Sequence, residues 1–448
     1  MTGPRPQHTV IIGGGLSGLA AARDLALAGQ RVTLLESSPV AGGLASSLLL
    51  KGQTVEHFYH FICRHDDSLV NLVDEMGLGG HLRWRHTNTA FFHEGHHYEF
   101  GSPTDLLRFG PVPLQQRLRV GWHVTRSVFR TDWRRLDRLP ARAWLIDNIG
   151  EEAYYVIWHP LLRVKFGDYY DKISAAWLWH RIVRVARSRN HWWGQSVFGY
   201  LTQGSETIVR ALSEFLAAQS NVSLKMGARV VALDVKDNAV RGVRLDHGTI
   251  QCTAVISTVA LPTLNRLVPA QTSEYFDRSR RVHYIGVVCA LFSLKRPLTR
   301  NFWLNINDPA ISFNGIIEQT NLNSNLREAG LNVIYVPYYL ATSEPRYGYT
   351  DTELFDEYVP MLKLVNPDFD ESWIEEFVVA RTPYAQAVCH THFADLRPDH
   401  RTPIAGLYVT DSTQFYPEDR TLSAAIEQGR KAAALCLEDG RAESHYPY

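Results

Sequence analysis

The sequence predicts an α/β protein whose parallel sheet is gathered from separated stretches of chain, with an α+β unit and a helical insertion between them. Three observations predict it. Near the N-terminus a β-branched run leads straight into a glycine-rich turn and an alanine-rich helix. Near the C-terminus a short apolar strand closes on Asp411, and a long helix follows. Between these ends, one stretch carries helical aromatic and basic periodicity and another carries alternating apolar residues. At 448 residues the chain is too long for one ordinary core, so at least two folding units are expected.

Thr9 to Ile12 reads as a buried parallel strand. Gly13-Gly14-Gly15-Leu16-Ser17-Gly18 follows, then a helix from about Leu19 to Ala28 that Gly29 stops, then a second strand from Arg31 to Glu36. In this G-x-G-x-x-G turn Gly13 allows the sharp reversal, Gly15 lets backbone approach a pyrophosphate, and Gly18 lets the helix pack closely on the strand. Leu16 and Ser17 lie in the turn that leads into the helix, whose free N–H groups and dipole favour phosphate. Glu36, followed by Ser37, lies 18 residues beyond Gly18, where an acid accepts hydrogen bonds from ribose hydroxyls.

Gly42-Gly43-Leu44 comes next, and the paired glycines imply backbone close to a second part of the cofactor. Here the chain resembles the flavin amine oxidase superfamily. That group includes protoporphyrinogen oxidase, phytoene desaturase and monoamine oxidase, with UDP-galactopyranose mutase as a relative. The resemblance implies a Rossmann-type domain that binds FAD rather than NAD, with the paired glycines beside the FAD diphosphate.

The stretch from Val222, VSLKMGARVVALDVKDNAVRGVRLDHG, reads as a β-meander. The resemblance puts Val230 against the adenine through its backbone. Ala254 to Val259 reads as a buried strand, and the resemblance implies that it returns to the nucleotide domain. Leu407 to Thr410 is a further strand, with Asp411 at its carboxyl end, the ligand edge of an open parallel sheet. A helix follows from about Leu422. By resemblance, Asp411 holds the diphosphate–ribityl part, and the backbone around Thr421 and Leu422 faces the pyrimidine edge of the flavin.

The middle differs. Between Arg108 and Arg142 there are nine arginines and two acids, Asp132 and Asp137, with Trp122 and Trp133 interleaved and Trp144 just beyond. Tyr154, Tyr155, Trp158, Trp177, Trp179, Trp192 and Trp193 follow. This is either a helical cap with a solvated basic face or a surface for anionic lipid or a phosphorylated substrate. The formal net charge of zero gives no drive toward nucleic acid. His283 to Pro297 and Asn332 to Tyr339 read as strands, and Glu353 to Leu364 as a helix. The expected division is therefore residues 1–100, 201–270 and 386–448 as the FAD-binding domain, 101–200 as the helical insertion, and 271–385 as an α+β substrate domain.

A flavin carries its own redox chemistry, and side chains orient and exclude. Amine oxidases of the family place a lysine near the flavin; aligning Lys295-Arg296-Pro297 with the later part of that strand puts Cys289 there instead. They also place an aromatic wall residue where this chain has Thr421. Both departures argue against oxidation of a simple amine. The loop Glu56-His57-Phe58-Tyr59-His60-Phe61 resembles one beside the flavin of UDP-galactopyranose mutase. His57 and His60, three apart, would face opposite sides of a strand, so only one need reach the flavin, and the resemblance selects His60 as a proton shuttle. His57 and Tyr59 then belong to the substrate side. Arg163 and Lys165, in WHPLLRVKFGD, resemble a segment of the desaturase branch. Tyr384, with Gln386, lies shortly before the last FAD motif as a pocket wall. Each of these last residues has a plain packing role as its rival reading.

Five cysteines at scattered positions offer no metal spacing and no disulfide framework, which fits a reducing cytosol. No apolar run is long enough to cross a bilayer, so the expectation is a cytoplasmic protein with peripheral membrane contact through residues 108–142. The leading expectation is an FAD-dependent oxidoreductase moving hydride between flavin N5 and a carbon of a bulky apolar or lipid-linked small molecule. A redox-neutral mutase or isomerase acting on a nucleotide sugar or glycan is the alternative. A third reading makes FAD a structural element of a docking protein, which requires no free space in front of the flavin.

Overall fold

The computed structural model describes residues 7–189, 194–269 and 273–444; Trp192 and Trp193 lie outside these. A five-stranded parallel sheet runs in the order Leu407–Val409, Ala254–Ser257, His8–Ile12, Arg31–Leu35, Val222–Lys225. Its strands are short β-branched runs, and Val10, Ile11, Leu34, Val255 and Ile256 are fully buried, as expected of a sheet covered on both faces. The helix Leu16–Leu27 packs against the final helix, Leu422–Ser444. The two approach so closely that a Cβ on Gly429 would lie 2.1 Å from the Ser17 carbonyl oxygen.

The expected meander is corrected at its start. Val222–Lys225 does not turn back on the next strand but joins the parallel sheet beside Arg31–Leu35. The chain between is anchored to the second strand's acid loop, with Gly227 N–H donating to Ser38 O and Ala228 N–H to Glu36 O. Only then does an antiparallel meander form from Val230–Lys236, Ala239–Leu245 and Thr249–Gln251.

The second sheet has seven strands in the order Ile374–Ala387, Tyr284–Leu294, Asn332–Leu340, Gly315–Glu318, Trp303–Ile306, Thr89–His93, His96–Glu99. The last two come from the stretch placed with the nucleotide domain by sequence. Thr89–His93 pairs in parallel with Trp303–Ile306 and His96–Glu99 pairs antiparallel with Thr89–His93, so residues 89–99 belong structurally to the other sheet. Side chains alternate along Tyr284–Leu294. Val288, Ala290 and Phe292 face the helix Asp351–Val365 in one core, while Val287, Cys289 and Leu291 face the core shared with the insertion.

The insertion is helical: Pro103–Arg108, Leu114–Phe129, Ala141–Ile149, His159–Phe166 and Ala175–Arg187, with a π-helical turn at Tyr154–Trp158. Trp144, Tyr154, Trp177 and Trp179 are buried, so most of its large rings build a core. Among the described residues no helix is long and apolar enough to cross a membrane.

Candidate active site

One cavity of about 870 Å³ runs from the glycine loops at the edge of the parallel sheet to the aromatic face of the second sheet. That is near the upper end of the roughly 300–1,000 Å³ usual for small-molecule sites. Gly13, Gly15, Leu16, Ser17, Glu36, Gly42, Gly43 and Leu44 line one end. Gly42 has φ +120°, and a Cβ there would lie 2.8 Å from Ser46 Cα, so only glycine fits. Gly15 and Gly42 meet as a parallel bridge, and the N-cap position Gly15 offers no side-chain hydrogen bond to the helix that follows. The first-turn N–H groups thus face the cavity with no side-chain cap, as a diphosphate requires. Glu36 is held in place by Gly14 N–H at 2.7 Å and Ser38 N–H at 2.8 Å.

Gly18 and Ser37 are not on the wall. Gly18 is a packing position, since its Cβ would lie 2.0 Å from Gly13 O. Ser37 donates to Glu36 Oε1 at 3.2 Å. Val230 pairs with Leu245 at the start of its strand and also lies off the wall. Asp411 is buried on the wall, but its carboxylate accepts from Thr413 N–H at 2.8 Å, Leu261 N–H at 3.3 Å and the Tyr284 hydroxyl. Burial pushes its pKa up, against these hydrogen bonds. Asp411 therefore organises the turn that leads toward Thr421 and Leu422, both of which line the cavity. Thr421 Oγ1 caps the final helix by accepting from Ala424 N–H at 2.9 Å.

The histidine loop departs from expectation. The strand Gln53–Glu56 ends before it, so the alternation of faces no longer applies, and His57 and His60 both line the cavity. His57 Nδ1 stands 3.2 Å from Ser46 Oγ. His60 Nδ1 stands 3.2 Å from Glu56 Oε1, and that buried carboxylate also accepts Ser205 N–H at 2.9 Å. The backbone of the loop is pinned from the second sheet by Tyr335 Oη to Glu56 O and by Gln319 Nε2 to His60 O.

At the far end Tyr59, Trp177, Trp303, Ile317 and Tyr339 make an aromatic and apolar wall, with Cys289 on its floor. Burial drives the Cys289 thiol far up, so it stays protonated. Lys165 reaches this wall from the insertion, whereas Arg163 is exposed and off it. Burial, reinforced by Arg181 and Arg420 and opposed by Asp419, pulls the Lys165 pKa down to about 7. Tyr384 lines the cavity and accepts from Arg266 at 3.2 Å. The sequence reading missed Arg181, Arg184, Tyr339, Asp419 and Arg420. The i, i+3 pair Arg181/Arg184 on an amphipathic helix was the one signal available. None of the arginines between 108 and 142 reaches the cavity.

The cradle of both glycine stretches, the uncapped helix start and the acid fit the adenine–ribose–diphosphate half of FAD, and the start of the final helix fits the flavin half. The space that continues past them does not fit a purely structural flavin. Fold and site together define a flavoprotein with room for a substrate. The chain belongs to the flavin containing amine oxidoreductase family, whose pattern matches residues 16–437. Its cofactor is FAD, and it is an oxidoreductase by family. The 15-cis-phytoene desaturase of an Oncidium hybrid cultivar is 34% identical over 475 residues, covering 97% of this chain and 78% of that protein. The Narcissus pseudonarcissus enzyme of the same name is 31% identical over 155 residues, covering 34% of this chain and only 26% of that protein. The crystal structure of reduced UDP-galactopyranose mutase has the same fold, with a TM-score of 0.76, 18% identity and 96% of each chain covered.

Proposed function

We propose that this protein adds or removes hydride at a carbon of a bulky, partly apolar or lipid-linked small molecule lying against the aromatic wall. The observation that carries the reading is the continuity of one cavity from the glycine loops to Tyr59, Trp177, Trp303 and Tyr339. FAD, when bound, supplies the two-electron centre at flavin N5. Gly15, Gly42, Gly43 and Glu36 would hold its nucleotide half, and the backbone at Thr421 and Leu422 its flavin end. Tyr59 and Trp303, in edge contact at 6.1 Å, exclude water and orient the substrate. His60 is the group placed to carry a proton, because Glu56 fixes its ring from behind. Cys289 and Thr421, where amine oxidases of the family carry lysine and an aromatic, support a substrate other than a simple amine.

The second reading, a redox-neutral mutase or isomerase of a nucleotide sugar or glycan, is favoured by Arg181, Arg184 and Arg420 on the cavity wall. The test is to reduce the purified holoprotein without air and then follow its absorbance on adding oxygen or a quinone. Reoxidation on the timescale of turnover is the result expected of the oxidoreductase. Conversion of a UDP-sugar that needs prior reduction but consumes no reductant per turnover selects the second reading. A flavin that no small donor reduces would sink both. Peripheral contact with an anionic bilayer through residues 108–142 is part of the proposal.

A further inference from the structure

The far wall of the cavity carries more positive charge than it neutralises. Four cations face it: Lys165, Arg181, Arg184 and Arg420. Arg181 pairs with Asp419 at 2.7 Å, and Arg184 with Asp66 at 2.9 Å. The other two share Asp419 at longer range but make no ion pair of their own. Arg420 donates to Ala385 O at 2.8 Å and to the Tyr339 hydroxyl. Lys165 touches rings alone, its ammonium 4.9 Å from the Tyr339 centroid and 5.0 Å from that of Trp177. Among the described residues no carboxylate is in ion-pair contact with either. An ammonium largely withdrawn from water among aromatic rings, with no ion-pair or hydrogen-bond partner, is costly unless a ligand completes it. Oxidised FAD does not discharge the debt, since its negative charge sits on the diphosphate at the glycine loops.

We propose that the substrate carries a phosphate or diphosphate ester, and that Lys165 and Arg420 bind this oxyanion against the aromatic wall. A single carboxylate would leave one of the two cations uncompensated. A phosphoryl group, with a charge of about −1.5 to −2 and three acceptor oxygens, matches the surplus and the donors. Arg420 supplies a planar fork, and the unpartnered Lys165 supplies a mobile point charge. The inference rests on the cavity being the substrate site, but it holds whether the net reaction is redox or redox-neutral.

The experiment titrates the oxidised holoprotein, below neutral pH, with inorganic pyrophosphate, reading both heat and the flavin difference spectrum. Expected is saturable binding that Lys165→Met weakens roughly ten-fold or more. Lys165→Arg should retain it, and Arg300→Met, on an exposed residue outside the cavity, should not change it. Equal flavin content in all variants shows that the fold survives. UDP and farnesyl diphosphate are then compared. Tighter binding of UDP than of pyrophosphate assigns a nucleotide source to the phosphate, and tighter binding of farnesyl diphosphate assigns a lipid source; either supports the proposal. Absence of pyrophosphate binding, or equal binding by wild type and Lys165→Met, overturns it. So does a Lys165→Met variant that shifts the flavin potential while leaving anion affinity unchanged, because the cations would then serve the flavin.

Discussion

Lys165 is where the electrostatics of the cavity can be read most directly. Burial is the main cause that brings its pKa to about 7; Asp419 from the C-terminal loop pushes it back up, and Arg181 and Arg420 push it further down. The other groups facing it are Cys389, which burial keeps as a thiol, and the Tyr339 hydroxyl. An ammonium binds an oxyanion and an amine does not, so the sign is fixed. Affinity for pyrophosphate is full below the free-enzyme pKa and falls as pH rises through it, while the bound anion itself raises that pKa. Glu418, raised to about 7 by burial first and then by Glu427 and Asp66, ionises in the same window and acts in the same direction. The expected result is a wild-type affinity that declines above neutrality and a Lys165→Met affinity with a much shallower decline. Parallel profiles for the two proteins would assign the titration to Glu418 or another group. The glycine-loop residues were legible in sequence because their reasons are local: Gly18 meets Gly13 five positions earlier. Arg181 and Asp419 were not, because they lie 238 residues apart and only the fold brings them together.

At the scale of elements, the two halves of the FAD site are joined by one helix–helix contact. Gly429 lies where the final helix crosses the backbone of Ser17, on the helix that opens at the glycine turn. A methyl there meets Ser17 O at 2.1 Å and Ser17 C at 2.8 Å, and backbone cannot move aside as a flexible side chain would. Gly429→Ala should therefore cost about 1–3 kcal/mol, lower Tm and reduce FAD retained through gel filtration. Gly80→Ala, where nothing lies within 4 Å, should leave both unchanged. If the two variants behave alike, the crossing is not what holds the site together. The same scale shows why parts of the fold were hidden. An alternating run such as Val222–Lys225 serves a meander or the edge of a parallel sheet equally well, and only its partner, Arg31–Leu35, decides. The hairpin Thr89–Glu99 likewise reads as a continuation of the chain before it, until Trp303–Ile306 pairs with it from more than two hundred residues away. The histidine loop failed for a related reason: alternation was carried through His60, four residues beyond the true end of the strand at Glu56.

For the whole molecule, the distribution of exposed apolar side chains is as informative as the cavity. The helix Leu114–Phe129 buries Val120, His123 and Ser127 and turns Leu114, Leu118, Trp122 and Phe129 to solvent, the last two 64% and 80% exposed. Spacings of four, four and seven put these four on one helical face. Leu107 and Leu139 are exposed in the same stretch of chain, which also carries the nine arginines of residues 108–142. A two-fold contact between copies of this face would set arginine against arginine with few acids to compensate, whereas an anionic bilayer offers both the charge and the apolar depth. The helix is tied to the cavity wall through Trp179 Nε1 to Ser127 O and Arg187 to Val128 O, each at 2.9 Å. The partner helix carries Trp177, Arg181 and Arg184. Membrane contact would thus bring the surface and the substrate wall of one insertion into the same place, which suits a lipid-linked phosphate. The full holoprotein should sediment with phosphatidylcholine vesicles only when phosphatidylglycerol is included, and release as salt rises. Trp122→Ser combined with Phe129→Ser should abolish sedimentation while flavin content and pyrophosphate affinity stay at wild-type values. Binding that ignores phosphatidylglycerol, or a double variant that sediments like wild type, would refute a bilayer contact at this face, and salt-resistant self-association lost in the double variant would make it an interface between copies of the chain.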